Sequence, residues 1–202
     1  EQELRAEDEL GSAEDAVGAD ELPGGVRTGL FLHDVLERLD YRTLTRYRDQ
    51  DEWAADARVR ALFVRSMREH GVEPEHLALS QRVVWRALTA VVEVDHGVIY
   101  GLGHCPRNRR ELEFLYPIPE TSHPPLGQLG GGLAEEGLQV ERGFIKGYID
   151  YVFEWSGRIY FADWKSDVLE RYDVATLHQH FDGNYTKQAF LYAIALCKLS
   201  DI

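Results

Sequence analysis

The sequence predicts an α/β domain in which a small mixed sheet is flanked by helices. Two observations carry this. Residues 147–167, GYIDYVFEWSGRIYFADWKSD, read as two strands joined at Ser156-Gly157 and apolar on both faces; strands covered on both sides lie inside a sheet packed by helices. Around them, residues 28–46, 52–70, 76–92, 172–180 and 185–200 carry the apolar spacing of helices.

The 202 residues, 44% hydrophobic and 28% charged, suffice for one soluble domain with a proper core. No apolar run approaches the ~20 residues of a membrane span. The acidic N-terminus is not a signal peptide. Two cysteines, Cys105 and Cys197, are too few for a disulfide framework or a four-thiolate cluster. The expectation is a cytoplasmic protein with no membrane attachment. Residues 1–25 hold nine acids and one arginine, so −8 of the formal net charge of −13 lies there. With few large apolar residues, 1–25 is expected to be an acidic flexible leader or linker, and 26–202 the folded domain. An acidic body argues against a protein that finds nucleic acid by its own field.

The first helix, 28–46, has Thr28 as its expected cap and Leu32, Val35, Leu36 and Leu39 as its apolar face. Helices follow at 52–70 and 76–92. Residues 93–110 look irregular and end in the basic run PRNRR; 111–118 (ELEFLYPI) form a short strand. HPPLGQLGGG reads as a mobile loop. The hairpin comes next, and two helices separated at Asp182-Gly183 close the chain. There is no internal repeat. A GxxxxGK phosphate loop is also absent, so the chain alone is not a nucleotide-driven motor.

A two-residue loop at Ser156-Gly157 pairs Trp155 with Arg158, and the same register sets Asp150 opposite Asp163. Facing side chains have Cβ atoms roughly 4.5–5.5 Å apart, where like charges repel. Lys165 projects to the same face as Asp163. An Asp-x-Lys is most often a structural ion pair. Two facing carboxylates, however, need more neutralisation than one lysine gives, and a divalent cation such as Mg²⁺ supplies it. The lysine then serves to orient or deprotonate a water, or to stabilise charge on phosphorus.

The pattern ID(x12)DWK resembles the core motif of the PD-(D/E)XK nuclease superfamily. More narrowly, it resembles the nuclease domain at the C-terminus of RecB-type helicase–nucleases. GLFLHDVLERLD (29–40) is similar to that family's first helix, RELEF (110–114) to its acidic strand, GFIKGYID and FADWKSD to its core, and QAFLY (188–192) to its QxxxY motif. The five elements occur in the family's order and span 28 to about 197.

The resemblance implies a restriction-endonuclease-like core and a metal-dependent DNA nuclease engaged in double-strand-break processing and recombinational repair. It implies Mg²⁺ as cofactor, with Mn²⁺ able to substitute, held by His33, Asp150, Asp163 and the Trp164 carbonyl. Lys165, Asp163, Asp150, Glu111, Gln188 and Tyr192 are the implied catalytic set. Read without the motif, His33 beside the apolar stripe is a core histidine. Glu111 and Glu113 alternate to one face; the family pattern favours Glu111. Gln188 and Tyr192 share a helix face and are implied to touch the lysine, the attacking water or the DNA backbone. Arg107, Arg109, Arg110, Lys146 and Lys187 are the candidates for phosphate contacts. His178 and His180 lie outside the motif and read as surface residues. The implied partners are DNA, a parent helicase domain and other subunits of a helicase–nuclease complex. The competing reading is a catalytically inactive nuclease fold serving as scaffold or DNA-binding platform. Missing cysteines exclude the iron–sulfur branch.

Overall fold

Two aspartates decide where the N-terminal helices stop. In the computed structural model, which describes residues 22–117 and 143–200, the expected helix 28–46 is two elements: α1 (Val26–Arg38) and a short 3-10 helix (Tyr41–Arg46). Asp40 separates them by accepting from the Arg42 N–H at 3.2 Å. The expected 52–70 is likewise α2 (Gln50–Ala55) and α3 (Ala57–His70), split where Asp56 accepts from the N–H groups of Arg58 and Val59 at 2.8 and 3.2 Å. A short carboxylate that caps the next helix ends the previous one. Thr28 is not a cap: Gly25 holds that position and Thr28 is buried within α1. The leader falls almost wholly, and the HPPLGQLGGG loop wholly, outside the described residues.

The chain divides into two compact units, Glu1–Arg110 with Asp150–Tyr172, and Glu111–Ile149 with Asp173–Ile202. The first unit holds α1, α2, α3 and α4 (Leu77–Thr89). The apolar stripe of α1 enters a core with Trp53, Phe63, Leu88 and Ile99. Phe31 and Trp53 both meet Phe63 edge-on, at centroid distances of 6.3 and 5.7 Å. Residues 93–110, expected to be irregular, contain structure. An antiparallel hairpin of β1 (Val91–Val94) and β2 (Gly97–Tyr100) is followed by a 3-10 turn and the start of β3 (Asn108–Pro117). Strands of four residues show too little alternation to be read from sequence.

The main hairpin, β4 (Phe144–Trp155) with β5 (Arg158–Ala162), has the expected register: Tyr151 faces Ala162, Val152 faces Phe161 and Trp155 faces Arg158. Ser156 and Gly157 both have positive φ, 50° and 72°, the signature of a type I′ turn. β4 is covered on both faces, with Tyr151, Val152 and Phe153 all buried. β5 is not mid-sheet as expected. It is the edge of the order β3-β4-β5, and Arg158 and Ile159 are exposed. It also ends at Ala162, one residue before Asp163.

The second unit holds the remainder of β3 and β4 with α5 (Val174–Asn184) and α6 (Thr186–Ser200). The helices part at Tyr185, not at Asp182-Gly183, which lies inside α5. Asp173 caps α5 by accepting from Thr176 N–H at 3.0 Å. Phe114 packs edge-on against Tyr192 and stacks on Tyr116, at 5.9 and 5.8 Å.

Candidate active site

In the first unit, α1, β4 and the segment after β5 converge on Asp150. The α1 stripe of Phe31, Leu32, Val35 and Leu36 is buried, which turns His33 to the side, 35% exposed. One imidazole nitrogen of His33 lies 2.9 Å from the Trp164 carbonyl, and the other 3.5 Å from the Asp150 carboxylate. Asp150, 11% exposed, accepts from the Trp164 N–H at 2.7 Å. Asp163 and Lys165 form an ion pair at 2.7 Å. Trp164 turns its ring away, to within 6.2 Å of Tyr151 in the core. The chain beyond Lys165 runs so close to α1 that a Cβ on Gly29 would lie 2.9 Å from Ser166 Oγ. A side chain at 29 would make the Ser166 hydroxyl turn aside.

Two features of this neighbourhood have no signal in the sequence. The Ser66 hydroxyl of α3 donates to Asp34 at 2.5 Å, and Arg38 pairs with Asp34 at 2.8 Å. The first of these ties α1 to α3, one residue from His33. Beside His33 and Lys165, a cavity of about 70 Å³ opens between α1 and α4.

Burial pushes the Asp150 carboxyl above its ordinary range, and the negative charge of Asp163 adds to this. The His33 ring, the Trp164 N–H and Lys165 act in the opposite sense without cancelling it. A carboxylate so placed is short of positive charge. The donors against it, the His33 imidazole and the Trp164 carbonyl, with its own carboxylate, suit a divalent cation that favours oxygen. The residues fit such an ion.

The other expected site residues lie in the second unit. Glu111 is its first residue, half-buried, with φ of 47°; among the described residues only Ser156 is likewise a non-glycine with positive φ. Glu113 is exposed, pairs with Lys146 at 2.9 Å and accepts from the Tyr148 hydroxyl at 3.2 Å. The two glutamates, equivalent by strand alternation, are thus different in the structure. Gln188 donates to the Tyr192 hydroxyl at 2.7 Å on one face of α6.

Of the basic residues considered for phosphate contacts, Arg107, Arg110, Lys146 and Lys187 all have partners within the protein. Arg107 grips Glu154 with contacts of 3.0 and 2.8 Å. Arg110 donates to the Leu39 carbonyl and lies 4.9 Å above the Tyr41 ring. Lys146 is engaged by Glu113. Arg109 and Lys187 are exposed. His180 is half-buried on α5 against Asn184 and Tyr185, and His178 is exposed on the same helix.

Comparison with known proteins gives the chain a family. The chain is 28% identical over 192 residues to the RecBCD enzyme subunit RecB of Escherichia coli (strain K12), a match covering 87% of this chain. The chain corresponds to only 15% of that protein's length. The sequence model of the PD-(D/E)XK nuclease superfamily matches residues 4–201, nearly the whole chain. With that match and with the α/β architecture described above, this chain belongs to the PD-(D/E)XK nuclease superfamily.

Proposed function

We propose that this domain hydrolyses DNA phosphodiester bonds with the help of a divalent cation, Mg²⁺ in the cell and Mn²⁺ as a working substitute. We place it as the nuclease part of a cytoplasmic RecB-type helicase–nuclease that trims DNA ends for recombinational repair. The observation that carries the reading is the Asp150 carboxylate, buried against His33 and the Trp164 N–H with the Asp163–Lys165 pair on the same chain segment. Membership of the nuclease superfamily supports it.

His33, Asp150, Asp163 and the Trp164 carbonyl would hold the ion. Bound there, a divalent cation supplies Lewis-acid charge to the phosphoryl oxygens and eases ionisation of water. The protein's own residues do the rest. The Trp164 N–H fixes the Asp150 carboxylate in place. Asp163 steadies the Lys165 ammonium, which then stabilises negative charge growing on the phosphoryl oxygens as the bond to the leaving oxygen breaks. Gln188 and Tyr192, locked to each other, act as a pair toward the strand's backbone. The scaffold alternative has no use for two carboxylates kept beside an imidazole and a lysine.

The test is Asp150→Asn. It removes the negative charge and keeps the shape. The substitution is expected to abolish Mn²⁺ binding by calorimetry and DNA hydrolysis together. Full cleavage by this variant would refute the assignment.

A further inference from the structure

Directly after Lys165 the chain makes a loop that the chemistry proposed above does not use. Tyr172 closes it. Its hydroxyl accepts from the Leu169 N–H and donates to the Asp167 carbonyl, both at 3.2 Å. The ring that this clasp holds is nevertheless 63% exposed. Val168, inside the loop, is exposed as well, and a Cβ on Gly24 would lie 3.5 Å from one of its methyls. On α1, Val26 and Leu30 are exposed too, and Leu30 stands one turn before His33. All of these residues belong to the first unit.

Resting on the reading that a phosphodiester lies at Asp150 and Lys165, we infer that the Tyr172 ring is a stacking platform. It seats an unpaired base beside the reacting phosphate and so positions the strand. Three observations carry this. First, the ring is ordered before anything binds. A free aromatic side chain loses rotamer entropy when a partner arrests it, and the clasp has already arrested this one. Second, it is near the site. Two residues of chain, at most about 7 Å, lead from Lys165 to Asp167, whose carbonyl holds the Tyr172 hydroxyl. A strand with a phosphate at Lys165 carries a neighbouring base into that range. Third, the charges suit a base. Asp167 and Glu170 lie in the same loop and repel phosphate, which leaves the uncharged base as the group that meets the ring. A second protein is the poorer occupant: a stable interface takes about 800 Å² from each partner, and one aromatic side chain supplies at most ~250 Å². Every base has a π-face, so the platform reads no sequence. A stacked base contributes about ten- to a hundredfold in affinity.

The test crosses the ring with the bases. A labelled single strand of oligothymidylate, and a strand of the same length lacking all its bases, are titrated with the full chain and followed by fluorescence anisotropy. Ca²⁺ replaces Mg²⁺. The proteins are the parent, Tyr172→Ala and Tyr172→Phe. Tyr172→Ala is expected to bind the intact strand about ten- to a hundredfold more weakly and the baseless strand nearly as the parent does. Tyr172→Phe, which keeps the ring and loses the clasp, is expected to keep most of the parent's preference for the intact strand. A ring that merely shapes the loop behaves otherwise, because its loss weakens both strands equally. That result, an unchanged affinity in Tyr172→Ala, or a parent that binds neither strand would overturn the inference. Binding and cleavage are read separately. Ring-dependent binding in a chain that cuts no DNA contradicts the nuclease reading and leaves the platform standing. Cleavage by a parent whose binding ignores the ring does the reverse.

Discussion

Glu111 shows how one residue's backbone separates two side chains that a pattern treats as equal. Period-two alternation puts Glu111 and Glu113 on one face. A positive φ at Glu111 breaks the alternation there, leaving Glu113 out with Lys146. The alternating glutamates carry no signal of the φ at Glu111, so this distinction did not show; Asp150, Asp163 and Lys165 were picked out by strand alternation and a turn, although β5 ends at Ala162, before the last two. For an L-residue the left-handed region costs about 1–2 kcal/mol, and such strain gathers at functional sites. Glu111→Gly is therefore expected to raise stability in urea unfolding by about 1 kcal/mol while cleavage falls. A variant less stable than the parent would show that Glu111 is held by contacts and not by function. Gln188 and Tyr192 were legible as a pair because helix spacing fixes i, i+4 neighbours, and their hydrogen bond follows from it.

At the scale of elements, legibility tracked local chemistry. Ser156-Gly157 set the hairpin register because a two-residue loop with positive φ leaves one pairing open. The helix breaks at Asp40 and Asp56 did not show, since an aspartate suits a solvent face as well as a cap. Gly183 misled in the opposite direction, because a helix tolerates one glycine at about 1 kcal/mol. The packing of α1 on α3 uses charges as well as apolar contacts: Arg38 and Arg65 flank Glu69 at 2.7 and 2.8 Å. Their guanidiniums lower the Glu69 carboxyl from 4.5 to about 2. A carboxylate depressed on folding stabilises above its unfolded value and loses that contribution as pH falls through its folded value. The difference in Tm between the parent and Glu69→Gln is thus expected at pH 7, shrinking below about 4.5 and gone near 2. Because these groups are 38–66% exposed, added salt should shrink it too. A difference that is constant with pH would assign the effect to packing.

Taken as a whole, the molecule is acidic, with a formal net charge of −13, and a nuclease must hold a polyanion. Of its five candidate phosphate contacts, Arg107, Arg110 and Lys146 are held inside the protein; Arg109 and Lys187 have exposed side chains, Lys187 with contacts of its own. Two released counterions correspond to a slope of about −2 in log affinity against log salt. A slope near that value for duplex DNA is the expectation for the isolated chain; one steeper than about −5 would require a basic surface of its own. The weak field agrees with the proposal that neighbouring domains of a larger machine deliver the strand. The chain spans only 15% of the RecB subunit it resembles.

The account stands on Lys165 and the cation site having separate jobs in one reaction. The measurement that tests this most directly takes Lys165→Ala, with the parent beside it, through two assays in the same buffer: Mn²⁺ binding by calorimetry, and cleavage of end-labelled linear DNA with Mg²⁺ and with EDTA. The account predicts metal-dependent cleavage by the parent. In the variant it predicts retained Mn²⁺ binding with a loss of about a hundredfold or more in rate. Cleavage by the variant at the parent's rate, or cleavage by the parent that persists undiminished in EDTA, would contradict it.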